Sequence, residues 1–160
     1  MSDNTARTFY VNFIHSYLTY GIHIYYNLAP QKLTNDLFLL QKKALRLINR
    51  TRLKDRLPTN QLCIATSILS LPKLATYFTS NFALHILTKR APNYILQLFP
   101  SHQHNYSRRN LNTLPSSSLY NSLNRKIVTL FNSLPSQIRA ITSTATIKRH
   151  LKNHFFHTLD

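Results

Sequence analysis

Acidic residues are scarce in this 160-residue chain: Asp3, Asp36, Asp55 and Asp160 are the whole set, and there is no glutamate. Two-metal phosphoryl transfer needs several carboxylates converging on divalent cations. Glycoside hydrolysis needs a pair of carboxylates flanking the scissile bond. Four scattered aspartates, two of them near the termini, argue against self-contained polymerase, nuclease or glycosidase chemistry. Glycine is scarcer still, with Gly21 alone. One glycine makes neither a Gly-x-Ser-x-Gly turn nor a phosphate-cradling loop. Cys63 is the single cysteine, so no disulfide framework and no Cys-rich zinc knuckle is expected. The redox setting is therefore read as reducing or indifferent. The start, MSDNTARTFY, lacks a basic stretch followed by an apolar run and a small-residue cleavage site, and reads as no secretory signal.

Against 4 acids stand 20 Lys and Arg, giving a formal net charge of +16. An imbalance of this size bears on partners rather than on fold. Nucleic acid is the leading candidate and an anionic membrane surface the second. Hydrophobic residues make up 43% of the chain, enough for a core in one domain or in one piece of a larger protein.

Both properties meet in Asn35 to Arg56, NDLFLLQKKALRLINRTRLKDR. Leu37, Leu40, Ala44, Leu47 and Ile48 recur at three- and four-residue steps, the stripe of a helix packed on a core. Lys42, Arg46 and Arg50 recur every fourth residue on another face, with Lys43 beside them. Arg52, Lys54 and Arg56 extend the charge past the helix end, opposed only by Asp55. The spacing predicts one face for protein and one for an anion, read as a nucleic-acid backbone. Thr34 or Asn35 is the expected cap, with Asp36 at the positive end of the helix dipole.

The remaining segments also carry helical spacing. Thr8 to Gln31 contains no Lys, Arg, Asp or Glu. Its Phe9, Phe13, Tyr17, Tyr20 and Ile24 predict a buried amphipathic helix. A membrane span, which needs about 20 mostly apolar residues, is disfavoured by the interrupting Asn12, His15, Ser16, Thr19, His23 and Asn27. Gly21 in mid-helix costs about 1 kcal/mol relative to alanine, a cost that close packing of a neighbour would explain. Pro58, Pro72 and Pro92 open further helices, expected over Asn60 to Ile68, Pro72 to Lys89 and Asn93 to Phe99. Pro100 to Ser118, rich in Ser, Asn, His and Pro, reads as an exposed loop. Helical spacing resumes from Leu119 to Phe131. A turn at Leu134-Pro135-Ser136 and a short helical piece, Gln137 to Ile141, come next. The last helix starts near Ser143 or Thr144, with Ile147, Leu151, Phe155 and Leu159 on one side. No segment alternates with period two. The expectation is an all-α, irregular multi-helix array in three parts: a helical region 1–99, a polar loop 100–118 and a C-terminal helical segment 119–160.

Further cations form a second tier of candidate phosphate contacts: Arg108 and Arg109 beside Tyr106, His102 and His104, and Lys148, Arg149 and Lys152 on the last helix. His150, His154 and His157 fall at i, i+4 and i+7. The cations among them oppose a metal, and zinc needs a further ligand. No metal, cofactor or small-molecule substrate is therefore expected.

Several segments, in order, resemble the post-catalytic C-terminal region of reverse transcriptases from non-LTR (LINE-type) retrotransposons. Tyr10 to Ile22, YVNFIHSYLTYGI, is similar to the family's helix with Ile-His and Tyr-Gly. Leu40 to Ile48, LQKKALRLI, is similar to its Leu-Gln-Lys/Asn-Lys/Arg-Ala-Leu/Ile-Arg-x-Ile helix. Ile68 to Leu74, ILSLPKL, resembles its Ile-Leu-x-Leu-Pro-x-Leu break, and His104 to Arg108, HNYSR, its His-Asn/Asp-x-x-Arg loop. Leu130 to Arg139, LFNSLPSQIR, with Ile147 to Leu151, is similar to its Trp-Asn-x-Leu-Pro-x-x-Ile-Arg segment and final helix. Phe131 stands where the family has tryptophan, and the glycine-containing stretch that often precedes it is missing. The likeness covers nearly the whole chain.

The resemblance implies that 1–99 corresponds to a helical thumb. It also implies that the palm of the RNA-directed DNA polymerase, with its paired aspartates, belongs upstream, and that this segment contacts RNA or DNA in an intracellular setting, nuclear or cytoplasmic. The expected function is non-catalytic binding of template or primer through the basic helix face. The alternatives are a peripheral membrane or helix-docking protein using the aromatic 9–26 helix, and a decayed reading frame with no function.

Overall fold

Among the described residues, each segment with apolar spacing of the helical kind contains helix, though Asn93 to Phe99 is helical only to Leu96. The computed structural model describes residues 3–51, 57–99, 122–141 and 144–157. Among them every regular element is helical and none is a strand. The chain divides into two compact units, Met1–Ala75 with Phe155–Asp160, and Thr76–His154.

The first unit begins with α1 (Asp3–Phe9), which runs into a π-helical stretch, Tyr10–His15, and then α2 (Ser16–Thr19). Gly21 stops the run with φ +63° and starts α3 (Ile22–Leu28). The expected continuous helix is therefore broken. Gly21 serves its left-handed backbone and not close packing, since a Cβ built there meets nothing within 4 Å. The expected burial is also inverted. Phe9, Phe13, Tyr17, Tyr20 and Ile24 are exposed, Tyr17 and Tyr20 at 87% each, while Tyr10 and Ile22 are buried. In a stretch without charge, helical spacing defines the faces but nothing labels the one that turns inward.

Helix α4 (Gln31–Ile48) starts four residues earlier than the expected Asn35 cap. Pro30, extended at ψ 143°, precedes it, and its carbonyl accepts from the Leu33 and Thr34 amides. Thr34 thus lies inside the helix, buried, its hydroxyl donating to the Gln31 carbonyl at 2.9 Å. After α5 (Thr59–Thr66), the chain enters α6 (Leu71–Leu87). Tyr10, Leu45, Ile48, Leu62, Cys63 and Ile68 form the core of this unit, with Ala6, Ile14, Ala44 and Leu57 packed partly against it. Burial pushes the Cys63 thiol up to about 11, so it stays protonated and inert near neutral pH.

The shortage of glycine leaves a mark at three helix ends. Arg50, Ser67 and Lys89 close α4, α5 and α6 at φ values of 51°, 54° and 54°. In each case the following amide reaches back to a carbonyl five residues earlier: Thr51 to Arg46, Ile68 to Cys63 and Arg90 to His85. These are the closures that glycine normally makes, and an L side chain there costs about 1 kcal/mol. Ser67 is exposed. Ser67→Gly is therefore expected to raise stability by about 0.5–1 kcal/mol, read as a higher midpoint in urea with the slope unchanged.

The second unit contains the rest of α6, α7 (Asn93–Leu96), α8 (Ser122–Asn132), α9 (Ser136–Arg139) and most of α10 (Thr144–His157). Ile127, Val128, Phe131, Ile138, Ile147 and Leu151 are buried, Phe131 completely. The expected Leu134-Pro135 turn is present, with the Leu134 amide donating to the Phe131 carbonyl and Pro135 extended before α9. The expected apolar side of α10 is buried at Ile147, Leu151 and Phe155. Leu159 lies outside the described residues, as does the polar loop expected over 100–118.

Candidate nucleic-acid interface

The orientation of α4 is set by a polar residue. Gln41 is fully buried. Its Nε2 donates to the Leu69 carbonyl at 3.0 Å and to the Tyr10 hydroxyl at 3.2 Å. Its Oε1 accepts from the Leu71 amide at 2.6 Å, satisfying an N–H in the first turn of α6 that has no partner within the helix. Burial pushes the Tyr10 phenol up and the Gln41 hydrogen bond pulls it partly back. With Gln41 locked at both ends of its amide, α4 cannot rotate without stranding two backbone groups.

Thr34, Gln41, Leu45 and Ile48 are consequently the inward face. This corrects the expected stripe. Ile48 is buried as expected, Leu37 and Ala44 are half-buried, and Leu40 and Leu47 are exposed at 59% and 77%. The core position next to Leu40 is taken by Gln41, because its amide finds partners there.

The cations follow from the same rotation. At 3.6 residues per turn, Lys42, Lys43 and Arg46 fall on a neighbouring face, with Lys32 on the same side nearly three turns ahead. Lys43 is exposed, and Lys42 and Arg46 are half-buried. Lys42 Nζ sits 4.2 Å from the Phe38 ring centroid, a cation–π contact across one turn. The contact holds the ammonium itself over the ring face. Arg50 lies beyond the helix end, exposed, in the left-handed closure. The row read as a single four-residue repeat, Lys42, Arg46 and Arg50, is thus two helical cations plus one on the closing residue. Its position beside the last carbonyls of α4 is favourable for a cation.

Arg52, Lys54, Arg56, Arg108 and Arg109 lie outside the described residues. Lys148, Arg149 and Lys152 are exposed on α10, with Lys148 and Lys152 one turn apart. They belong to the second unit, as Thr76–His154, whereas the α4 group belongs to the first. His150 is exposed and His154 half-buried. Among the described residues, no three His, Cys, Asp or Glu side chains converge on one point.

One participant escapes a reading of cation spacing alone: Phe38 could have been found from its four-residue step to Lys42. The exposed pair Lys89 and Arg90, at the end of α6, belongs to the second unit. Among the described residues no single helix is long and apolar enough to cross a membrane. One bent pair, Thr59–Thr66 with Leu71–Ile86, passes that test together, and it supplies the buried Leu62, Leu74 and Ala83. No protein-family model, curated protein or solved structure matches the chain.

Proposed function

We propose that this chain is a non-catalytic, nucleic-acid-binding segment from the C-terminal part of a non-LTR retrotransposon reverse transcriptase, and that α4 grips the phosphate backbone. The observation that carries the binding is the rotation of α4: Gln41, Leu45 and Ile48 face in, while Lys43 is exposed and Lys42 and Arg46 are half-buried on the outward side. The net charge of +16 is consistent with a polyanionic partner, and nothing acidic on α4 except Asp36 answers these cations. The ordered motifs support the origin. Backbone contacts of this kind hold a strand in register without reading its sequence. The palm of the parent polymerase would supply the chemistry; the role of this segment is to hold template and primer.

The test is a salt titration of the purified chain against duplexes of unrelated sequence. Four α4-region contacts, Lys42, Lys43, Arg46 and Arg50, give a slope of log K against log salt of about −3.6. Equal affinity across sequences is expected. A flat salt response, or affinity that follows sequence, would sink this reading.

One observation favours a second reading. Phe9, Phe13, Tyr17, Tyr20, Ile24 and Leu28 are all exposed in a stretch without Lys, Arg, Asp or Glu, and such aromatic side chains settle at a lipid headgroup boundary. On that reading the chain docks on anionic lipid. Flotation with anionic vesicles in the presence of excess RNA separates the two: RNA strips the chain from vesicles if charge alone holds it, and leaves it there if the aromatic surface inserts.

A further inference from the structure

Helix α4 has a third face. Leu33, Leu37, Leu40, Ala44 and Leu47 follow one another at steps of 4, 3, 4 and 3, the spacing of a coiled-coil seam. Leu33, Leu40 and Leu47 are 55%, 59% and 77% exposed, and Leu37 and Ala44 are half-buried. The exposed leucines of this row, Leu33, Leu40 and Leu47, serve neither the core nor the cation face, while Ala44 packs partly against the core.

We propose that this seam pairs two copies of the chain, with their α4 helices antiparallel. The flanks of the seam choose the partner and its direction. On one flank Thr34, Gln41 and Ile48 are already buried in the chain's own core. Only the other flank can meet a partner helix, and there the residues one step before Leu37 and Ala44 are Asp36 and Lys43, both exposed. A twofold axis near the middle of α4 brings Asp36 beside the partner's Lys43, and Lys43 beside the partner's Asp36. The surface is thus complementary to itself, as a twofold interface must be. Parallel pairing would set this flank against the partner's Gln41 and Ile48, which are unavailable. The only acid in α4 therefore sits where an antiparallel second copy can use it.

A single pair of helices about 27 Å long lies at the low end of specific interface sizes, so a micromolar dimer is expected. Each copy carries +16, so salt that screens this repulsion strengthens the dimer. Nucleic-acid binding responds to salt in the opposite direction. Pairing does not depend on the proposed function, and it is measured without nucleic acid.

The experiment is sedimentation equilibrium of the full chain, at about 0.1 and 0.5 M salt and at concentrations spanning about 1–200 μM. A monomer–dimer equilibrium that tightens with salt is expected. Leu40→Ser with Leu47→Ser, both at exposed positions, should abolish it while the thermal midpoint by circular dichroism stays put. Asp36→Lys or Lys43→Asp alone should weaken the dimer about tenfold, and the two together should restore it. A chain that is monomeric throughout, a dimer indifferent to the two serines, or a double charge swap that fails to restore association would each overturn the proposal.

Discussion

Changing Lys42, Arg46 and Arg50 together to alanine is expected to lower affinity for duplex nucleic acid about a hundredfold at physiological salt, evenly across sequences. Each backbone contact releases about 0.9 of a counterion, which at roughly 0.15 M salt is worth about fivefold in affinity. Three contacts multiply to about a hundredfold and lower the magnitude of the salt slope by about 2.7. The fold should tolerate the change. Arg50 is exposed, and Lys42 and Arg46 are only half-buried on the outward side of α4. Loss of the Lys42–Phe38 contact removes about 0.5–1 kcal/mol at such a site. A variant with an unchanged slope and unchanged affinity would show that these cations only solvate the helix. Lys148, Arg149 and Lys152 provide a comparison: the same titration on their triple alanine variant reports whether the second unit contributes contacts of its own.

What could be read from the sequence differs between segments for physical reasons. The all-α class and the buried side of α10 were legible because Ile147, Leu151 and Phe155 alternate with Lys148, Arg149 and Lys152, and charge labels the outside. The same logic failed before residue 31. From Thr8 to Gln31, without Lys, Arg, Asp or Glu, the exposed Phe13 and Tyr17 look no different from the buried Tyr10. On α4 the expected stripe coincided only in part with the core face: Ile48 is buried and Ala44 packs against the core, while Leu40 and Leu47 are exposed. A helix with three faces has two apolar edges, and the one that faces the core was decided by Gln41, a residue that polarity would have placed outside. The non-glycine closures at Arg50, Ser67 and Lys89 had no positive signal, since left-handed positions are ordinarily found by finding glycine. The cations were legible as types and spacing. The α4 and α10 groups were already expected in separate parts of the chain, 1–99 and 119–160.

The orientation of the whole cation face rests on one amide, and removing it is expected to be severe. Gln41→Ala leaves the Leu71 amide and the Leu69 carbonyl without their partners and opens a void beside Tyr10. Each stranded buried group costs about 1–3 kcal/mol, and the void adds to it, giving about 3–5 kcal/mol in all. That is a large share of the roughly 5–15 kcal/mol that holds a domain folded. The expected reading is a thermal midpoint lower by about 10 °C or more. Gln41→Leu separates shape from hydrogen bonding, because it fills most of the space and pairs with neither backbone group. It should remain about 2–3 kcal/mol below the parent chain. Gln41→Glu keeps an acceptor for the Leu71 amide but loses the donor to Leu69 and places a carboxyl in a dry site, so it should be worst above neutral pH and partly relieved on acidification. The sign follows from desolvation: a carboxyl whose folded pKa is raised loses stability as pH rises through the unfolded value. Affinity measured on whatever fraction stays folded carries the second half of the inference. If α4 is free to turn once Gln41 is gone, the salt slope falls along with stability. If stability falls and the slope does not, the cation face is held by Leu45 and Ile48 alone.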